Sequence, residues 1–171
     1  HNVIISLCQL KFYHSSNCYI AKFRGGDTLI AGEKLSKTLN VLWSKNLNYV
    51  AALQSDCNFV IYSAAEYVNH PGEGQTSATQ DIEDPRDHSY ELVWSTNTAK
   101  SRKDCKDARF ELQKGDGNLV LYDGNGKVVW ATNKRGGVRL VMQNDGNLVV
   151  YDGGTLSRGR LAIWDSGTVG K

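Results

Sequence analysis

The sequence predicts an all-β fold, and three observations support that prediction. The longest apolar stretches are four or five residues long, which is the length of strands. Seventeen glycines indicate many tight turns, and a single methionine with few alanines makes long helices unfavourable. Above all, one short strand pattern occurs three times along the chain, so the fold is expected to consist of three related β units.

Each copy pairs a strand motif with a later strand that contains a tryptophan. The strand motifs are LQSDCNFVIY (53–62), LQKGDGNLVLY (112–122) and MQNDGNLVVY (142–151), and the later strands are ELVWSTNT (91–98), KVVWATN (127–133) and LAIWDSGT (161–168). The second and third copies are 29 residues apart, measured from Asp116 to Asp145. The first copy is longer, because 32 positions separate Tyr62 from Trp94.

Alternation within the motif predicts a strand with one apolar and one polar face. In DGNLVVY, Leu148 and Val150 fall on one face and are expected to point into the core, while Asp145, Asn147 and Tyr151 fall on the other. Turns such as 123–126, Asp-Gly-Asn-Gly, predict hairpins to the tryptophan strands. The segment DTLIAGEKL, residues 27–35, predicts a further hairpin with a glycine turn.

The chain is expected to contain one main domain, 27–171, preceded by an N-terminal extension, 1–26, with one or two strands. Residues 63–91 hold both prolines, several acids and few aliphatic residues, and predict a long surface loop. One tryptophan per repeat, at 94, 130 and 164, predicts a shared core rather than three exposed stacking platforms.

Charge and cysteine content exclude several classes of function. Twenty basic and eighteen acidic residues give a net charge of +2, which provides no electrostatic basis for binding nucleic acid, and no apolar run is long enough for membrane insertion. The even cysteine count and the absence of a CxxC pair favour two disulfides in a secreted protein over a zinc site, so no metal or other cofactor is expected. The four cysteines are Cys8, Cys18, Cys57 and Cys105.

The polar row of each motif has the chemistry that a sugar requires. Glutamine and asparagine donate and accept, aspartate accepts, tyrosine does both, and the valine between them supplies an apolar contact. These residues are also turn and strand-edge formers, so a single copy would carry little weight. Three copies with nearly the same internal spacing, with the tyrosine six positions after the aspartate in each, favour the binding function.

The pattern Gln-x-Asp-x-Asn-x-Val-x-Tyr resembles that of the bulb-type, or monocot mannose-binding, lectins. Two copies are intact: Gln54, Asp56, Asn58, Val60 and Tyr62, and again Gln143, Asp145, Asn147, Val149 and Tyr151. The resemblance implies a β-prism II fold, with three four-stranded antiparallel sheets around a pseudo-threefold axis. It also implies that these residues hold mannose or mannose-rich glycans and glycoproteins, without metal and without enzymatic activity.

The middle copy departs from the pattern by one residue. Asp116, Asn118, Val120 and Tyr122 keep their spacing, but Gln113 lies three positions before Asp116 instead of two. Either a bulge at Gly115 returns Gln113 to the row, or Lys114 replaces it. We expect this site to be weakened or altered.

The resemblance also implies covalent and quaternary features. The family's bridge corresponds to Cys57–Cys105, which leaves Cys8–Cys18 as the second pair. Members of the family often exchange their C-terminal strand, here 161–165, with a partner, so a homodimer is expected.

Two other functions compete with multivalent glycan capture in defence or agglutination. The same fold hosts members that do not bind sugar, so a structural or protein-interaction module that uses loop 63–91 and the extension is the alternative. A hydrolase is disfavoured, because the acids that mimic a glycosidase pair lie in a loop without rigid support. Those acids are Asp81, Glu83, Asp84 and Asp87.

Overall fold

The computed structural model of the chain describes residues 26–37, 40–63, 91–155 and 159–171. The extension 1–26 and loop 63–91 therefore lie outside the described residues except at their ends, and their assignment stays a prediction. The described residues form twelve strands and one short 3₁₀ helix, Arg102–Cys105. The strands are β1 Thr28–Ile30, β2 Lys34–Leu35, β3 Val41–Trp43, β4 Tyr49–Leu53, β5 Phe59–Ser63, β6 Glu91–Ser95, β7 Arg109–Leu112, β8 Leu119–Tyr122, β9 Val128–Ala131, β10 Gly137–Met142, β11 Leu148–Asp152 and β12 Ala162–Asp165.

The strands form three four-stranded antiparallel sheets, one for each sequence repeat. Their orders are β3-β4-β5-β6, β2-β7-β8-β9 and β1-β10-β11-β12. In every sheet the two central strands carry the repeated motif, and the tryptophan strand pairs with the second of them. The fold class and the three sheets predicted from the sequence are therefore confirmed.

The hairpin expected within residues 27–35 is wrong. β1 pairs with β10 and β2 pairs with β7, so the two short strands belong to different sheets. Gly32, at φ +98°, turns the chain between them, and its N–H donates to the carbonyl of Leu112 at 2.7 Å. β1 and β2 each add a fourth strand to the edge of a different sheet. Pairing with two separate edges satisfies more backbone N–H and C=O groups than one two-residue hairpin would.

The core lies between the sheets and follows the predicted alternation. Leu148 and Val150 are fully buried, as are their counterparts in the other two sheets. Phe59 and Phe110 stack across the core with centroids 3.9 Å apart. The three tryptophans, Trp94, Trp130 and Trp164, meet edge to face at 5.6–6.0 Å, which confirms their predicted role in a shared core.

The resemblance also implied two disulfides and an exchange of the C-terminal strand. Cys57 and Cys105 form a disulfide, as predicted, and close a loop worth about 4 kcal/mol in the chain-entropy model. Cys8 and Cys18 lie outside the described residues. β12 pairs with β11 of its own chain, so each sheet is complete without strand exchange, and the homodimer stays a prediction.

Candidate functional site

Each motif occupies the outer face of one central hairpin, opposite the core. The first motif (54–62) lies on β4–β5, the middle motif (113–122) on β7–β8 and the third motif (143–151) on β10–β11. Their polar side chains are half-buried or exposed apart from Asn147, at 8 % exposure. The valines of the row are 1–3 % exposed, so the apolar contact proposed for them is narrow. These valines are Val60, Val120 and Val149.

The aspartate of each motif shapes the turn as well as facing outward. Its Oδ1 accepts a hydrogen bond from the backbone N–H of the asparagine two residues later, at 2.9–3.0 Å in all three copies. The residue between them is left-handed in every copy, with φ of 64° at Cys57, 72° at Gly117 and 87° at Gly146. Among the described residues no partner is found for Oδ2, which leaves one carboxylate oxygen of each aspartate available to a ligand.

Glutamine and tyrosine of each motif are joined by a side-chain hydrogen bond. Nε2 of the glutamine donates to the tyrosine Oη in every copy, at 3.1 Å in the first, 2.6 Å in the middle and 2.5 Å in the third. Gln113 therefore occupies the same place as its counterparts, and Lys114 does not replace it. The extra residue lies in the turn, since Gln113 N–H still reaches Asn118 O at 2.9 Å.

The asparagine of each motif is held by a hydroxyl from the end of the tryptophan strand. Asn58 accepts from Thr96, Asn118 from Thr132 and Asn147 from Ser166, all through Oδ1. Because the carbonyl oxygen is engaged by the protein, Nδ2 is the group left to donate outward. Sequence analysis missed these hydroxyls, although a serine or threonine two residues after each tryptophan was the signal.

A second hydroxyl is present in the first and third copies but not in the middle copy. Thr98 bonds to the carbonyl of Cys57 at 2.7 Å, and Thr168 bonds to the carbonyl of Gly146 at 2.6 Å. The backbone N–H of each also donates to the motif asparagine. In the middle copy the corresponding residue is Lys134, which has no hydroxyl, and its backbone N–H donates to the Thr132 hydroxyl oxygen instead of to the asparagine. The asparagine of the middle motif therefore has one donor fewer.

The residue paired with the motif tyrosine on the neighbouring strand differs among the copies. It is Val50 in the first, Arg109 in the middle and Arg139 in the third. The Arg109 guanidinium lies 3.9 Å from the centroid of the Tyr122 ring, and its Nε is 3.3 Å from the Glu111 carboxylate. The middle motif is therefore partly covered by its own side chains.

One buried carboxylate follows the middle motif directly. Burial raises the pKa of Asp123, but this effect is outweighed by the hydrogen bonds from Lys100, Lys127 and Asn125 and by the charge of Lys100. The net pKa of Asp123 therefore lies below the usual value. Lys100 Nζ is 3.1 Å from its Oδ2. This ion pair links the segment after β6 to the hairpin β8–β9.

The structure also bears on the other candidate chemistries. In the described ranges no group of three or more His, Cys, Asp or Glu side chains is placed to hold a metal ion. No helix in the same ranges is long and apolar enough to cross a membrane. The acids at 81–87, considered for hydrolysis, lie outside the described residues.

Comparison with known proteins identifies relatives through solved structures alone. No protein-family model matches the chain, and no curated protein sequence matches it. A structure from Gastrodia elata, one of a set described as novel monomeric monocot mannose-binding lectins, is 28% identical, with a TM-score of 0.55, and the match covers 84% of this chain and 98% of that one. A Marasmius oreades lectin is 26% identical over 85% of this chain and 93% of its own, with a TM-score of 0.56.

The mannose-specific agglutinin of snowdrop, Galanthus nivalis, was solved with methyl-α-D-mannoside. It is 27% identical, with a TM-score of 0.50, over 83% of this chain and 96% of its own. These matches confirm the resemblance to the bulb-type lectins and the β-prism II fold.

Proposed function

We propose, since the chain resembles the bulb-type lectins in both motif and fold, that it is a carbohydrate-binding lectin for mannose or mannose-rich glycans and needs no metal. One observation carries the proposal. In all three copies the same five residue types lie on one outer sheet face with the same internal hydrogen bonds. A purely structural role in the turn does not explain why every copy keeps an outward aspartate Oδ2 and an outward asparagine Nδ2.

The proposed contacts follow from the groups that the protein leaves available. The aspartate Oδ2 accepts a hydrogen bond from one sugar hydroxyl, and the asparagine Nδ2 donates to the same or the adjacent oxygen. Glutamine and tyrosine, already bonded to each other, present further donors and acceptors a few ångströms along the row. Each hydroxyl can then accept and donate at once, which strengthens both bonds.

Site quality is proposed to differ among the copies. The first and third motifs have the full hydroxyl support and bind best, whereas Arg109 weakens the middle motif. Shallow single sites are weak, so useful binding depends on several motifs engaging one glycan surface, or on a homodimer. Capture of glycans outside the cell, in defence or agglutination, fits this multivalency and the oxidised Cys57–Cys105 pair, which is typical of secreted proteins.

The lectin relatives are non-enzymatic binding proteins, and the proposal for this chain is likewise binding without catalysis. A glycan array tests it directly. Retention of mannose-rich glycans supports the lectin, provided that the triple variant Asp56→Asn, Asp116→Asn, Asp145→Asn loses them. Silence on every glycan by a folded protein would refute the lectin and favour the structural or protein-interaction module.

A further inference from the structure

The outer face of the second sheet, which carries the middle motif, differs in charge from the other two outer faces. On this face Lys34 pairs with Glu111 beside Val120, and Arg109 pairs with Tyr122. The matching positions on the strands before the motif strand are uncharged in the first sheet and include one charged residue in the third. They are Val41, Trp43, Val50 and Ala52 in the first sheet, and Thr28, Ile30, Arg139 and Val141 in the third.

A second group of basic residues lies beside the turn of the middle motif. In every copy the residue six positions after the tryptophan donates its backbone N–H to the carbonyl of the motif aspartate, at 2.7–2.8 Å. In the middle copy this donor is Gly136, so the two preceding residues, Lys134 and Arg135, lie next to the turn, and both are exposed. The first and third copies carry no charge at these two positions, which are Thr98 and Ala99, and Thr168 and Val169.

The turn of the middle motif adds one more cation. It is one residue longer than the other two turns and carries Lys114, which is exposed and lies beside Gly32 at the turn between β1 and β2. Five basic side chains therefore surround the middle motif, against three acidic ones. The basic residues are Lys34, Arg109, Lys114, Lys134 and Arg135, and the acidic residues are Glu33, Glu111 and Asp116.

The acidic side chains are already engaged by the protein, at least in part. Glu33 accepts from the backbone N–H of Ile30 at 2.9 Å, and Glu111 Oε2 lies 3.3 Å from Arg109 Nε. Asp116 Oδ1 accepts from the backbone N–H of Asn118. Among the described residues, none of the four lysine and arginine side chains other than Arg109 forms an ion pair. The surface around the middle motif is therefore positively charged.

Arg109 is the basic residue in direct contact with the motif. Its guanidinium lies 3.9 Å from the centroid of the Tyr122 ring, and in the described part of the chain only its Nε has an acidic partner. A guanidinium presents parallel N–H groups in one plane, which suits a carboxylate or a sulfate. Over a neutral sugar site this side chain is an obstacle, whereas for a sugar with an anionic group it is a partner.

We propose that the middle motif is selective for saccharides that carry an anionic group, a carboxylate or a sulfate ester, whereas the uncharged surface of the first motif suits neutral mannosides. The inference rests on the proposed function and adds a ligand class to one of its three sites. Asp116 and Asn118 bind sugar hydroxyls, and Arg109 binds the anionic group at the tyrosine end of the row. The basic side chains beside the turn raise the local concentration of anionic ligands.

An NMR titration tests this selectivity, read from the amides of Gln113 and Asn118 at the middle motif and of Gln54 and Asn58 at the first. The probes are methyl α-mannoside, methyl α-mannuronoside, in which a carboxylate replaces the C6 hydroxymethyl group, and methyl α-mannoside 6-sulfate. We expect at least one anionic probe to bind the middle motif about tenfold more tightly than the neutral mannoside, because hydrogen bonds to charged groups are the stronger ones. At the first motif neither anionic probe should bind better than the neutral one.

Two variants of Arg109 assign the preference to its guanidinium. Arg109→Gln should lower the affinity of the middle motif for the preferred anionic probe about fivefold or more, and Arg109→Lys, which keeps the charge but loses the planar fork, should have an intermediate effect. Lys45→Gln is the charge-matched control, since Lys45 is a lysine with a 79% exposed side chain in the loop between β3 and β4. It should leave the preference unchanged.

The possible failures of the inference and of the proposed function are distinguishable. Equal affinity of the middle motif for neutral and anionic probes, no binding there by any probe, or a preference that Arg109→Gln leaves intact would overturn the inference alone. Methyl α-glucuronoside, the C2 epimer of the mannuronoside, should bind more weakly; equal binding would show attraction of any anion and would also overturn it. No binding of any probe at any of the three motifs would refute the proposed function, and this inference with it.

Discussion

The third and middle motifs carry the same five residue types but have different surroundings. In the third, the Ser166 hydroxyl and the Thr168 backbone N–H both donate to Asn147, and the Thr168 hydroxyl donates to the Gly146 carbonyl in the turn. In the middle, the Thr132 hydroxyl is the one donor to the asparagine oxygen among the described residues, and an arginine lies on the tyrosine ring. The motif therefore sets which groups face outward, whereas neighbouring strands set how firmly they are held and how well a ligand reaches them.

The largest expected effect comes from the aspartate of the third motif. Asp145→Ala removes a charged acceptor worth about 1.5–3 kcal/mol, from a millimolar site with only about 4 kcal/mol in total. Mannoside binding there should become undetectable by NMR titration. The substitution also removes the bond to Asn147 N–H, so a loss of about 1 kcal/mol in the free energy of unfolding is expected.

Asp145→Asn separates the two roles, because its amide oxygen keeps the turn bond while the outward oxygen becomes a donor. Stability should stay close to that of the wild type and binding should still be lost.

Asp56→Ala should behave like Asp145→Ala at its own site, and Asp116→Ala should alter total binding least. If Asp116→Ala were the most damaging of the three, the middle motif would be the principal site and the comparison would be reversed.

The second expected effect concerns the hydroxyl that distinguishes the outer motifs. Thr168 is 1 % exposed, and Thr168→Val leaves the Gly146 carbonyl without this buried donor, at a cost of about 1–3 kcal/mol in unfolding free energy. Urea unfolding measures the loss, and affinity at the third motif should fall several-fold. The reciprocal change, Lys134→Thr, should strengthen the middle motif. Unchanged binding in both variants would show that the second hydroxyl has no influence on the ligand.

The third prediction concerns the arginine side chain that covers part of the middle motif. Arg109→Ala removes a contact with Tyr122 worth about 0.5–1 kcal/mol, so mannoside affinity there should rise two- to fivefold. Arg139→Ala, at the matching position of the third sheet, is the control and should change affinity less. Weaker binding by Arg109→Ala would mean that the arginine contacts the ligand rather than covering the site.

The smallest predicted effect is on pH dependence and involves Asp123, directly after the middle motif. Since its folded pKa is lowered, the unfolded chain binds more protons in acid. The contribution to stability is fully present above the unfolded pKa of about 3.9 and is lost as pH falls through the folded value. Asp123→Asn should flatten the stability profile below pH 4 in urea unfolding, and Lys100→Met should move the loss to higher pH. A profile unchanged by either variant would contradict the role assigned to this pair.

Much of the architecture was predictable because it depends on neighbouring residues. Two-residue alternation placed Leu148 and Val150 in the core and the polar row outside, and turn residues marked the hairpins. Repetition and the family resemblance then gave three sheets, the tryptophan core and the Cys57–Cys105 bridge. The sheets and the tryptophan core follow from patterns within about ten residues or from the comparison of one repeat with another, whereas the bridge was implied by the family resemblance.

The tertiary structure alone decided which distant segments meet. The residues of 27–35 have strand propensity, but propensity does not specify which strand they pair with. In the fold, β1 and β2 pair with the open edges of two different sheets. The register that places Arg109 beside Tyr122, the hydroxyls that orient each asparagine and the contact of Asn46 with Asn144 depend on packing between separate elements. Local propensity is similar for many such pairings, and the choice among them is made by burying the apolar face of each motif strand and by pairing β1 and β2 with two different sheets.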